Sequence, residues 1–146
     1  MRYLMIVKAT PLSEAGEFPP DAERMFAEMA EFNNELIAAG VLLDGAGLKP
    51  SSAGKRVRFE GRGNTVVTDG PFAETKELIA GYWIIQCKDM DEALSWARRI
   101  PFDDGEVELR PFHEPEDFEG YVSDEVMDQE KSWREEQVAK APKGTA

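Results

Sequence analysis

Between Pro19-Pro20 and Gly40 the apolar residues recur with a helical period: Ala22, Met25, Phe26, Met29, Phe32, Leu36 and Ile37. Asp21 offers an N-cap directly after the two prolines, and Gly40 suits the left-handed residue just past a helix end. This amphipathic helix needs a second layer to receive its apolar stripe. The flanking residues supply one. Residues 2–9 read as a strand, with Tyr3, Met5 and Val7 on one side and Leu4 and Ile6 on the other. Both sides are apolar, as in a central strand.

Further along, Val41–Asp44 reads as a short strand, and Gly45-Ala46-Gly47 opens an irregular stretch. Residues 10–20, with three prolines and a glycine, read as loop. Arg56–Glu60 and Thr65–Thr68 form a predicted hairpin around Gly61-Arg62-Gly63-Asn64. Asp69-Gly70-Pro71-Phe72 breaks the second strand, and Gly81–Cys87 is a buried strand. A second helix is predicted over Asp89–Ile100, capped by Asp89 with Glu92 three residues on. Its expected core face is Met90, Ala93, Leu94, Ala97 and Ile100. Glu106–Phe112 is the last strand, with Val107 and Leu109 inward. A helix from about Ser123 to Lys140 then carries a thin stripe of Val126, Met127, Trp133 and Val138.

The order β-α-β, hairpin, β-α-β and helix predicts an α+β ferredoxin-like sandwich, with both helices on one face of an antiparallel sheet. The other face is also apolar, so two copies are expected to pack back to back as a dimeric α/β barrel. Two segments are expected: a domain over 1–113 and an acidic helical extension over 114–146.

Composition narrows the function classes. A net charge of −12 on 146 residues provides no basic face for nucleic acid or for an anionic membrane surface. Residues 114–146 hold ten acidic and four basic groups, half of that net charge. No run approaches the ~20 apolar residues of a membrane span. The start has too few apolar residues before Lys8 for a signal-peptide core, so a cytoplasmic location is expected. Cys87 and His113 are each the single residue of their type. No disulfide can form within the chain, and neither a metal nor a cofactor is expected. Cys87, inside an apolar run, reads as an inert buried thiol. His113 reads as a contact at the rim or tail.

The segment Thr68-Asp69-Gly70-Pro71-Phe72-Ala73-Glu74-Thr75-Lys76-Glu77 resembles the DGPF-motif branch of the YCII-related family. So do Ala39-Gly40-Val41 leading to Gly45, Gly47 and Leu48; Gly81-Tyr82-Trp83; and Arg99-Ile100-Pro101 running to Val107-Glu108-Leu109-Arg110-Pro111. Glu114-Pro115-Glu116-Asp117-Phe118 resembles the start of that branch's tail. The resemblance implies dimeric α/β barrels of ferredoxin-like subunits. Among similar proteins are a dehydrochlorinase acting on a chlorinated hydroxyquinol and muconolactone isomerases of the same fold. Domains of this branch also occur beside extracytoplasmic-function sigma factors. Enzyme-like members place a histidine on the first helix and an aspartate near its end. Here those positions are Met29 and Ala38, which cannot move a proton.

The absent dyad favours a small-molecule-binding or regulatory homodimer over an enzyme. The expected ligand-contacting residues are Asp69, Gly70, Pro71, Phe72, Lys76, Tyr82 and Arg110, and the expected ligand is small and anionic or aromatic. Asp69 has two readings, a turn carboxylate accepting backbone N–H groups and a base at a pocket mouth. Lys76, beside Glu74 and Glu77, reads as a solvated charge or an anion holder. Arg110 reads as an ion-pair partner or a cavity residue. Two further functions stay open. One is a cofactor-free lyase or isomerase with Asp69 as base and Lys76 or Arg110 as electrostatic stabiliser. The other is an interaction module, acting through its acidic tail in sigma-factor regulation.

Overall fold

Strand β1 (Arg2–Lys8) occupies the middle of the molecule, hydrogen-bonded on both sides. A computed structural model describes residues 1–144. The last two residues of the expected 114–146 extension lie outside the described residues. β1 pairs antiparallel with β5 (Ile79–Gln86) and with β6 (Val107–Pro111), and β2 (Leu42–Gly47) adds to the outer side of β5. The resulting order is β2-β5-β1-β6, compatible with the expected ferredoxin-like sandwich. No helix among the described residues is long and apolar enough to cross a membrane.

One face of the sheet carries Tyr3, Met5, Trp83 and Ile85, all buried. Onto it pack α2 (Ala22–Ala38), through Phe32 and Leu36, and α3 (Met90–Ala97), through Ala93 and Trp96. Phe32 meets Trp83 edge-on at 5.6 Å between ring centres. The Trp83 indole N–H donates to Asn33 Oδ1 at 2.8 Å, so the polar end of this buried ring is satisfied.

The helix ends follow their chemistry. Gly40 stands at φ +70°. The Val41 N–H bonds Leu36 O at 2.9 Å and the Gly40 N–H bonds Ile37 O at 3.0 Å, a Schellman closure. At the other end Asp21 makes no side-chain cap and accepts from Arg24 instead. Asp89 caps α3 by accepting from the Glu92 N–H at 2.9 Å, while the Glu92 carboxylate accepts from Lys88 N rather than from the cap residue.

Four expectations need correction. Residues 10–20 are not all loop, because Thr10, with Pro11 at the first helical position, caps a single helical turn, α1 (Pro11–Glu14). Gly45-Ala46-Gly47 is not irregular; it continues β2 opposite Trp83, Tyr82 and Gly81. A Cβ at Gly45 would lie 2.9 Å from Trp83 Cδ1, so this glycine admits the indole instead of breaking the strand. On α3 and just after it Ala93, Ala97 and Ile100 face the core as expected, but Trp96 joins them in place of Met90 and Leu94, which are exposed. Finally, the apolar stripe of the last helix, α4 (Asp124–Ala139), is turned outward, with Val126 and Trp133 exposed.

Phe18 and Phe26 also leave the core, meeting edge-on at 5.3 Å on the outside of α2. β3 (Lys55–Phe59) and β4 (Thr65–Asp69) form a separate two-stranded sheet, as the hairpin pattern predicts.

The α3 correction has a direct check in urea unfolding. Trp96→Ala is expected to cost about 3–5 kcal/mol and Leu94→Ala about 1 kcal/mol or less. Equal losses would mean that α3 presents a different face to the sheet.

Candidate functional site

The Asp69-Gly70-Pro71-Phe72 loop is wired to two distant segments. After β4 the backbone drops onto the 3₁₀ turn Ser51–Ala53. The Gly70 N–H donates to Gly54 O at 3.0 Å. A Cβ at Gly70 would fall 1.8 Å from Ser51 O, a distance no side chain tolerates, so only glycine fits. Ser51 then links three elements. Its N–H and its hydroxyl both donate to the Glu14 carboxylate at the end of α1, and its Oγ accepts from the Phe72 N–H at 3.1 Å. The Arg56 guanidinium of β3 lies 3.9 Å from the centre of the Phe72 ring. Pro71 follows Gly70 and is exposed.

Asp69 stands apart from this network. Its side chain is 75% exposed and pairs with Lys55, its register partner across the hairpin. Among the described residues its carboxylate accepts from no backbone N–H, so the Asx-turn reading does not describe it. Lys76, on a short 3₁₀ turn with Glu77, is exposed.

Tyr82 and Arg110 come together on another surface, the sheet face opposite the helices. β1 lies between them, with Ile6 opposite Tyr82 and Leu4 opposite Arg110. The Tyr82 hydroxyl donates to Asp44 Oδ2 at 3.3 Å. The Asp44 charge, then burial, raises the phenol above its ordinary value and keeps it a donor. Arg110 lies 3.4 Å from Glu108, and Lys8 is 3.7 Å from the same carboxylate. Between these pairs Leu4, Ile6 and Ile84 form a half-buried apolar strip. The seven expected ligand residues thus fall into two sets, one on the hairpin base and one on the open sheet face.

Arg2, which the strand pattern alone hides, is 6% exposed at the end of that face. Its guanidinium donates to Gln137 Oε1 at 3.0 Å and to His113 O at 3.3 Å, and lies over the Phe112 ring. Its backbone N–H donates to Glu114 Oε1. Burial, and next Arg134, lower its pKa; Glu114 opposes them. These bonds fasten the tail to β1 and leave a cleft of about 300 Å³ lined by Arg2, Gln86, Glu116 and Arg134. His113 itself is exposed, 3.6 Å from Asp117 and against Phe118. Among the described residues no three His, Cys, Asp or Glu side chains gather as a metal site.

A profile of the YCII-related domain matches residues 1–114. The chain belongs to the YCII-related family. It is 38% identical over 92 residues to the uncharacterised protein R00369 of Rhizobium meliloti (strain 1021), covering 61% of this chain and 73% of that protein. Among solved structures it is similar to a 5-chloro-2-hydroxyhydroquinone dehydrochlorinase from Burkholderia phenoliruptrix AC1100, in complex with 2,5-dihydroxybenzoquinone. That likeness has a TM-score of 0.39 at 13% identity, covering 77% of this chain and 94% of the other. In this YCII-related chain Met29, at the position expected for the enzymatic histidine, packs against the core, and Ala38 is exposed.

Gly70→Ala is expected to destabilise by on the order of 3 kcal/mol through its clash with Ser51, and Ser51→Ala by about 1–3 kcal/mol. Asp69→Asn should leave the urea midpoint unchanged, because it breaks an exposed pair; a large drop would show that Asp69 braces the loop. Cys87 is buried, and burial first, then Glu92, pushes its thiol up to about 11. A maleimide at neutral pH should label it only after unfolding. Its raised pKa contributes stability that is full below its ordinary value of 9.0 and lost as pH climbs through about 11. Cys87→Ala should flatten that alkaline decline.

Proposed function

We propose that this YCII-related chain is a homodimer binding a small anionic or phenolic compound between two open sheet faces, as a binding or regulatory module of the DGPF-motif branch. What supports it is the surface opposite the helices: Leu4, Ile6 and Ile84, edged by Tyr82 with Asp44 and by Arg110 with Glu108. An apolar strip of this kind favours association at about 25 cal/mol per Å² removed from water. A few convergent polar groups at its rim orient a ligand within an apolar pocket. Tyr82 supplies a neutral donor and Arg110 a cation for a carboxylate or phenolate. Asp69, Gly70, Pro71, Phe72 and Lys76 would border the cavity from the hairpin base. With Met29 and Ala38 in place of the dyad, binding is the simpler role.

A lyase- or isomerase-type step with Asp69 as base is the second reading. It is favoured by Asp69 Oδ2, which among the described residues takes no hydrogen bond and is open to solvent.

Light scattering should give a mass near twice 16.3 kDa; a monomer at micromolar concentration ends the dimer reading. A thermal-shift screen of small carboxylates and phenols then tests the ligand. A compound at about a hundred times its dissociation constant adds about 2.7 kcal/mol, a rise of roughly 5–10 °C for a chain of this size. That rise should vanish in Arg110→Gln. If it persists there and vanishes only in Asp69→Asn, the ligand sits at the hairpin base, and turnover assays dependent on Asp69 decide the second reading.

A further inference from the structure

The β3–β4 hairpin pairs only with itself. Every residue of its two strands is exposed. A two-stranded ribbon alone in water is marginal, and this one holds on to the body only at its base, through Gly70 and Phe72. One of its faces carries Val57 at 51% exposed, Val67 at 56% and Phe59 at 73%, with Thr65 toward the tip and the Lys55–Asp69 pair at the base; Arg56 and Arg58 lie on the other face. Its charge also runs against the rest of the chain. Residues 55–69 hold four basic and two acidic groups in a protein whose net charge is −12. Arg62 at the tip has no ion-pair partner among the described residues.

The matching surface is the tail. α4 docks by its polar side, where Arg134 pairs with Glu130 and Gln137 accepts from Arg2. It turns Val126 and Trp133, seven residues apart and so on one helix face, toward solvent. Tyr121 and Val122 lie just before them, also exposed. Glu125 and Glu136 flank this strip, and the tail as a whole carries a net −6. An apolar basic arm and an apolar acidic helix are complementary in both respects.

The two are fastened at opposite ends of the sheet. The hairpin springs from the end of the sheet where β2 closes at Gly47 opposite Gly81, whereas the tail is fastened at the far end by Arg2 beside Gln86. A two-fold axis lying between two open sheet faces and running across the strands brings each hairpin onto the other copy's tail, twice over. We propose that the hairpin is an arm that clasps the acidic tail helix of a second copy. This rests on the dimer reading above and adds to it the contact that sets the orientation of the two sheets.

A double variant, Asn64→Cys with Gln129→Cys, tests the clasp with a short bis-maleimide; buried Cys87 stays silent, as the unsubstituted protein controls. A covalent dimer on a denaturing gel is expected from the double variant and from neither single one. Val67→Asp should raise the dimer dissociation constant at least tenfold, and added salt should weaken the dimer further. A protein that light scattering shows to be dimeric, yet that fails to cross-link, overturns the clasp and leaves the dimer standing. Cross-linking of Asn64→Cys alone overturns it as well, since the hairpins would then face each other. A monomeric unsubstituted protein overturns both.

Discussion

β1 and β5 are apolar on both faces, and the chain carries only enough helix to cover one of them. Tyr3, Met5, Trp83 and Ile85 lie under α2 and α3; Leu4, Ile6 and Ile84 do not. Burying the first set stabilises the fold, since full burial of a large apolar side chain is worth about 1.5–3 kcal/mol. The second set leaves a surface that still favours leaving water. The tail reaches only its end, where Arg2 is buried among Phe112, His113 and Gln137. The polar pairs at its edges, Tyr82 with Asp44 and Arg110 with Glu108, give that surface a hydrated rim.

The Asp-Gly-Pro-Phe segment is held by contacts from two distant segments. Gly70 is required because Ser51 O occupies the space of a side chain, and the Phe72 amide is received by the Ser51 hydroxyl. Glu14 completes the joint from α1. Asp69, the residue with the most evident chemistry, faces solvent as Pro71 does, paired with Lys55. Gly70 and Phe72 build the platform, and Asp69 is what it presents.

The order of the long elements was legible from pattern: the 3.6 period of α2, and the short apolar runs of β1 and β5 bounded by turn residues. What escaped were contacts between segments far apart in the chain. Gly45 looks like a break until the Trp83 indole is placed beside it. Ser51 and Glu14 are ordinary polar loop residues, and nothing local tells that one links the other to Phe72; Thr10-Pro11 was the available signal for α1. Arg2 was invisible for the same reason, since its partners are 111 and more residues away. The outward turn of Trp133 reverses a rule that apolar stripes face inward, because the inner side of α4 is held by Arg2, Arg134 and Gln137 instead.

The strand order has a consequence for how the chain is made. β1 precedes its two neighbours by a long stretch of chain: Arg2 pairs with Gln86, and Tyr3 with Pro111. Until those segments are made, β1 has no ladder on either edge, and α2 has no sheet to rest on. Such non-local pairing slows folding and prolongs the exposure of sticky intermediates. The acidic tail follows all of these strands, and its Gln137 accepts from the buried Arg2. A ribosome-stalled fragment short of Glu114 would therefore leave that end of β1 unsealed and the sheet aggregation-prone.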